Sequence, residues 1–143
     1  MNIEQLPEPR VEIFSEPSFL EKAANFLESD VVIFDSSTGY ERHGVDGYIQ
    51  YLTEFVQIIP DLTSKVIDHQ TYDDKLISRL QMQGKFTGTL RTDEGIFFGN
   101  GNPIDIEYQV EQEFNHLGKV RRLVFNYDLP EFLFQLSRRY RAS

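Results

Sequence analysis

At 143 residues, with 40% hydrophobic and 13% aromatic content, the chain is sized for one domain (residues 1–143) with a core of its own. A formal charge of −9 argues against a nucleic-acid partner, the absence of cysteine excludes disulfides and thiol chemistry, and no apolar run approaches the ~20 residues of a membrane span. The cysteine-free composition fits a reducing cytoplasm, and the opening MNIEQLPEPR has neither the basic end nor the apolar segment of a signal peptide.

Residues 1–14 read as a loose arm around Pro7 and Pro9, with Val11, Ile13 and Phe14 available to dock. Ser18 then caps a helix, with Glu21 at the capping-box position and Phe19, Ala23, Phe26 and Leu27 as its buried face. Val31 to Phe34 is a short β-prone run that ends in a polar loop of Asp35, Ser36, Ser37 and Gly39. A second helix is expected from about Asp46 to Ile59. It places Tyr48, Leu52, Phe55, Val56 and Ile59 at helical spacing and is stopped by Pro60.

From Asp61 onward the chain reads as strands. Residues 62–72 lack a clean alternation, and Asp73, Asp74 and Lys75 form a hairpin turn. In 76–90, Leu80, Met82, Gly84 and Phe86 alternate with Arg79, Gln81, Gln83, Lys85 and Thr87, so one face is buried and the other wet. Gly84 and Gly88 are candidate bulges there. A glycine-rich loop follows, with Gly95, Gly99 and Gly101 around Phe97 and Phe98. Residues 104–114 alternate again, and 115–119 turn the chain into a last strand, Val120 to Tyr127. Pro130 stops that strand and suits the first turn of a helix carrying Phe132, Leu133, Leu136 and Tyr140. Helices first and long strands after predict an α+β fold: a bent antiparallel sheet wrapped around N-terminal helices, shaped as a cone with a pocket inside.

Strict alternation from Val120 places Arg122, Val124, Asn126 and Asp128 on one face of the last strand. Met82 and Phe86 lie on the apolar face of 76–90, and a cone turns both faces inward. A carboxyl among apolar groups has its charged form disfavoured, which suits Asp128 to proton transfer; Asp before Leu-Pro also reads as a helix cap. Asn126 could donate to an oxyanion, Arg122 could neutralise a carboxylate or pair with an acidic neighbour, and Tyr108 and Tyr72 could line the cavity. His43, His69 and His116 show no metal-ligand spacing, so no metal is expected. Gly99 to Gly101 lacks the strand-before, helix-after context of a dinucleotide loop, and no other cofactor is expected.

Gly118, Lys119, Val120, Asp128, Gln135 and Leu136 together resemble the end of a SnoaL-like polyketide cyclase, a family of the nuclear transport factor 2-like superfamily. Gly44 and Gly47 before a helix ending in Pro60-Asp61, Asp74, Arg79, the run Gly84-Lys85-Phe86-Thr87-Gly88, and Gly101-Asn102-Pro103-Ile104 extend the resemblance over residues 17–140. It implies the cone fold, an Asp128 in a place similar to the cyclases' pocket acid/base, and a homodimer through the outer sheet face, which would also shelter Phe97 and Phe98. Phe86 stands where many members carry histidine and Val124 where many carry tryptophan, which removes polar and shape-defining groups from the pocket. Arg91-Thr92-Asp93 is similar to the Arg-x-Asp of limonene epoxide hydrolases but leads into the glycine-rich loop. Two readings follow. One is a domain that binds a small, largely apolar molecule, with cofactor-free isomerase or cyclase chemistry at Asp128. The other is a non-enzymatic binding or dimeric interaction module of the same fold.

Overall fold

The Asp73-Asp74 turn joins two neighbouring long strands of the sheet, with Asp73 taking a positive φ of 25°. The computed structural model describes residues 11–13, 22 and 25–139. Among these the strands are β1 (Val11–Ile13), β2 (Leu27–Asp35), β3 (Tyr40–His43), β4 (Thr63–Tyr72), β5 (Lys75–Lys85), β6 (Thr89–Thr92), β7 (Gly95–Phe98), β8 (Pro103–Phe114) and β9 (Val120–Tyr127). The helices are α1 (Gly44–Ile58) and α2 (Leu129–Ser137). The main sheet has seven strands in the order β1-β4-β5-β8-β9-β2-β3, and β6 and β7 form a separate hairpin. Its neighbours pair antiparallel except β2 and β9, which run parallel. The expected α+β architecture with a bent, largely antiparallel sheet against a helix is therefore present.

Several local expectations need correction. The helix expected from Ser18 and the loose arm lie mainly outside the described residues, as does Tyr140; Lys22, Asn25 and Phe26 are helical, and Leu27 already belongs to β2. The polar loop after Asp35 is a tight turn, and Tyr40–His43 just beyond it pairs with Val32–Asp35. The expected strand 76–90 ends at Lys85, and the glycine-rich loop is the β6–β7 hairpin, which leaves Ile96, Phe97 and Phe98 exposed. Gly84 is no bulge, for it pairs in register with Ile104. The bulge in this part of the sheet lies in β4, where Val66 faces Leu80 but Asp68 faces Arg79, leaving Ile67 extra. One extra residue reverses the side-chain alternation beyond it, which is why 62–72 shows no period of two.

Helix α1 buries Gly47, Tyr51, Leu52 and Ile58, which recur at helical spacing, against the inner sheet face. That face supplies Val31, Ile33, Met82, Ile106, Val110, Leu123 and Phe125 to the core. Helix α2 is bound to the sheet by polar contacts. β9 pairs with β8 only from Tyr108 onward, so the backbone of Asp105 has no partner on that side. The buried Gln135 amide supplies one, accepting from Asp105 N at 2.7 Å and donating to Asp105 O at 2.9 Å. Buried Asn102 donates to the carbonyls of Gln135 and Arg138, satisfying the open end of α2. No helix among the described residues is long and apolar enough to cross a membrane.

Candidate ligand site

The site is built where β2 ends. Its last residue, Asp35, is 3% exposed and begins an Asp-Ser-Ser-Thr-Gly turn. Asp35 Oδ1 accepts the backbone N–H groups of Ser37 at 2.8 Å and Thr38 at 3.2 Å, the pattern by which an aspartate side chain closes a tight turn. The two serines fasten this turn to β9: Ser36 Oγ donates to Phe125 O at 3.0 Å and Ser37 Oγ to Tyr127 O at 2.8 Å. Asp35 Oδ2 is then left facing inward, where Tyr51 of α1 donates to it at 2.8 Å and Tyr127 of β9 at 3.3 Å. Burial, reinforced by the Asp35 charge, pushes both phenols well above their ordinary pKa, so both keep their protons.

In front of these two tyrosines lies an apolar cleft between α1 and the sheet, lined by Tyr51, Leu52, Phe55, Leu62, Met82, Tyr108, Phe125 and Tyr127. The rings support one another: Tyr51 packs on Phe55 and Phe125 with centroids 5.2 and 4.8 Å apart, and Phe55 meets Tyr127 edge to face at 5.9 Å. On the sheet wall Ser64 Oγ and the Tyr108 hydroxyl lie 2.6 Å apart. The volume of this open cleft is about 30 Å³. That is room for one or two waters, against the ~150 Å³ of an apolar cavity that holds benzene. A ring-sized guest therefore sits partly in the mouth, where Phe55, Tyr108 and Tyr127 are half-buried, or displaces them.

The chemistry of this arrangement is constrained. Asp35 stands behind the tyrosines rather than in the lining, and both its oxygens are taken by protein donors. A general base needs a free lone pair aimed at the substrate, so Asp35 as placed orients the phenols instead of removing a proton. Among the described residues no group of three or more His, Cys, Asp or Glu could hold a metal ion.

A sequence model of the SnoaL-like polyketide cyclases matches residues 11–136, nearly the whole chain. The chain belongs to the SnoaL-like polyketide cyclase family. Among curated proteins none matches it. Its fold is similar to that of a SnoaL-like polyketide cyclase candidate from Jannaschia sp. CCS1 (TM-score 0.78, 12% identity, 89% of this chain and 84% of that one). It is also similar to IdmH, a polyketide cyclase candidate from Streptomyces antibioticus (TM-score 0.69, 19% identity, 85% and 88%). A third neighbour is a polyketide cyclase candidate from Xanthomonas campestris (TM-score 0.65, 20% identity, 84% and 86%).

Within this SnoaL-like domain the expected site residues part company. Met82 and Tyr108 line the cleft, whereas Phe86 is buried in the core and outside the lining. Asn126 and Asp128 are exposed, and Arg122 and Val124 face a shallow polar hollow of about 80 Å³ with Lys75, Glu111 and Glu113. That hollow is on the outer face, because Val110 and its partner Phe125 are both buried while Glu111 and its partner Val124 point the other way. The parity argument fails at one residue. Phe114 pairs with Val120 but Glu113 pairs with Arg122, so Arg121 is a bulge in β9. Beyond it Leu123, Phe125 and Tyr127 turn inward with Val120, and Val124, Asn126 and Asp128 turn out.

The Asp128 side chain accepts the Glu131 backbone N–H at 3.0 Å and caps α2. Asp128→Ala is expected to lower stability by about 1 kcal/mol in urea denaturation, with Asp128→Asn close to the native protein. An alanine variant as stable as the native protein would contradict the capping role. Tyr72, the other tyrosine considered for the cavity, is exposed and donates to Gln70.

Asp35, Tyr51, Tyr127 and Ser64 are polar residues of the site that sequence reasoning missed. Tyr51 falls three residues after Tyr48 and four before Phe55, on the buried stripe of α1. Asp35 lies two residues beyond Ile33 on an alternating strand, with turn-forming serines behind it.

Proposed function

We propose that this domain binds a small, largely apolar molecule in the cleft between α1 and the inner sheet face, against the rings of Tyr51 and Tyr127 that Asp35 braces from behind. The observation that carries the reading is a lining of five aromatic rings with Leu52, Leu62 and Met82, two of the rings held from behind by the buried Asp35 carboxylate. Membership of a family of polyketide cyclases supports a small-molecule role. The engagement of both Asp35 oxygens, and the outward position of Asp128, favour binding over general-base catalysis.

The sequence contains two methionines, Met1 and Met82, so methyl-labelled methionine gives one reporter inside the cleft. Titration with toluene is expected to shift the Met82 methyl resonance saturably and leave that of Met1 in place. An unmoved Met82 signal at the solubility limit of toluene would refute cleft binding.

A further inference from the structure

We infer that Phe55 is the specificity-determining residue of the cleft, the ring that yields to a guest and limits the cleft to apolar molecules of a single ring. The inference rests on the cleft being a binding site and concerns which part of its wall gives way. At about 30 Å³ the cleft is well short of the ~150 Å³ that encloses benzene. A guest ring that enters fully must therefore move a lining side chain. Five of the eight, Tyr51, Leu52, Leu62, Met82 and Phe125, belong to the buried core. Moving any of these opens a close-packed interior and forfeits its contacts. The yielding group is to be sought among the three half-buried rings at the mouth, Phe55, Tyr108 and Tyr127.

Two of the three are tethered. The Tyr127 hydroxyl donates to the buried Asp35 carboxylate at 3.3 Å, and the Tyr108 hydroxyl lies 2.6 Å from Ser64 Oγ. Both also project from strands inside the seven-stranded sheet, paired on either side. Phe55 differs on each count. Its side chain has no polar atom to tether, and it stands in the last turn of α1. Only ring contacts hold it, to Tyr51, Tyr127 and Phe132 with centroids 5.2, 5.9 and 6.0 Å away. A contact between rings contributes about 0.5–1.5 kcal/mol beyond its buried area, and a guest ring taking the place of one partner restores it. Phe55 can therefore tilt to admit one ring, but it remains at the mouth and meets a second ring fused to the first.

The test titrates toluene and naphthalene and follows the Met82 methyl, comparing the native protein with Phe55→Ala and Tyr127→Phe. In the native protein naphthalene is expected to bind no more tightly than toluene, although its larger apolar surface alone would favour it on the order of 10-fold. In Phe55→Ala naphthalene should gain on the order of 10-fold over toluene, because its second ring takes the vacated place. Tyr127→Phe cuts a tether and keeps the ring, so it should move this ratio less than Phe55→Ala does. Phe55→Leu should show the same change more weakly, and it decides if the alanine variant does not fold. A ratio of naphthalene to toluene affinity that stays at its native value without the Phe55 ring overturns the inference, as does one that moves as far in Tyr127→Phe. In either case toluene binding to the native protein upholds the cleft. If neither guest shifts Met82 in the native protein, the cleft reading falls and the inference with it.

Discussion

Replacing Asp35 with alanine is expected to lower the free energy of unfolding by about 3–5 kcal/mol, a large share of the ~5–15 kcal/mol that holds a domain of this size. The loss comes from what is left behind. Two backbone N–H groups and two phenols lose their shared acceptor at a position 3% exposed to water. The turn that positions Ser36 and Ser37 against β9 loosens with them. Asp35→Asn keeps an oxygen for the two N–H groups and should be damaged less. Equilibrium urea unfolding checks this, and a loss below about 1 kcal/mol for Asp35→Ala would mean that the cluster is not a structural hub. The same cluster gives stability a pH dependence of known sign. Tyr51 and Tyr127 ionise less readily folded than unfolded, so their contribution is complete below the unfolded phenol pKa of ~10 and is lost as pH rises above it.

Gly88→Ala is expected to destabilise by about 3 kcal/mol or more, beyond the usual range for one added methyl group. A Cβ there would lie 1.8 Å from Gln57 O and 2.8 Å from Gln57 C, and both atoms are backbone at the end of α1. Neither partner has freedom to give way. Gly88 N donates to Ile58 O at 3.1 Å, and Gly88 O accepts from Gly99 N at 2.7 Å. Gly39→Ala makes the comparison informative, because Gly39 has a φ of +81° but nothing within 4 Å of the added Cβ. It should lose only about 1 kcal/mol, the penalty of the left-handed conformation without a clash. Thermal melts that place both variants at the same midpoint would show that the close approach at Gly88 carries no weight.

The parts legible in the sequence were those in which one chemical period runs uninterrupted. β5 and β8 alternate for most of their length, and their pairing from Lys75–Glu113 to Lys85–Pro103 is unbroken. The Pro130 start of α2 follows a local rule of the same kind, and the expected stripe of α1 is right in Leu52 and in the half-buried Tyr48, Phe55 and Val56 but passes over the buried Gly47, Tyr51 and Ile58. What was not legible depends on single insertions and on distant partners. Arg121 adds one residue to β9, and with it the inward and outward sets exchange, taking Asp128 from the presumed pocket to the surface. Nothing in the run Val120 to Tyr127 marks that bulge, because arginines at both 121 and 122 fit an outward face equally well. Gly84 and Gly88 were recognised as special, but the reason is the nearness of the end of α1 and the chain just beyond it, not a kink in a strand. Asp35 read as a loop residue since its four donors come from a turn, a helix and a strand that only the folded chain brings together.

The parallel pairing of β2 with β9 bears on how the chain reaches this state. Hydrogen bonds from Ser36 and Ser37 to β9 span 89 and 90 residues of sequence, and no short turn can template them. The β4–β5 hairpin forms from neighbours, and β8 adds to it across the shorter β6–β7 excursion. β2, β3 and α1 must wait for β9 before the aromatic cleft has its second wall. Loop closure on that scale places folding in the slow range typical of non-local β topologies, milliseconds to seconds. Until it occurs, Tyr51 and Phe55 of α1 lack the Phe125 and Tyr127 rings they pack on, and an apolar face left open in this way favours aggregation.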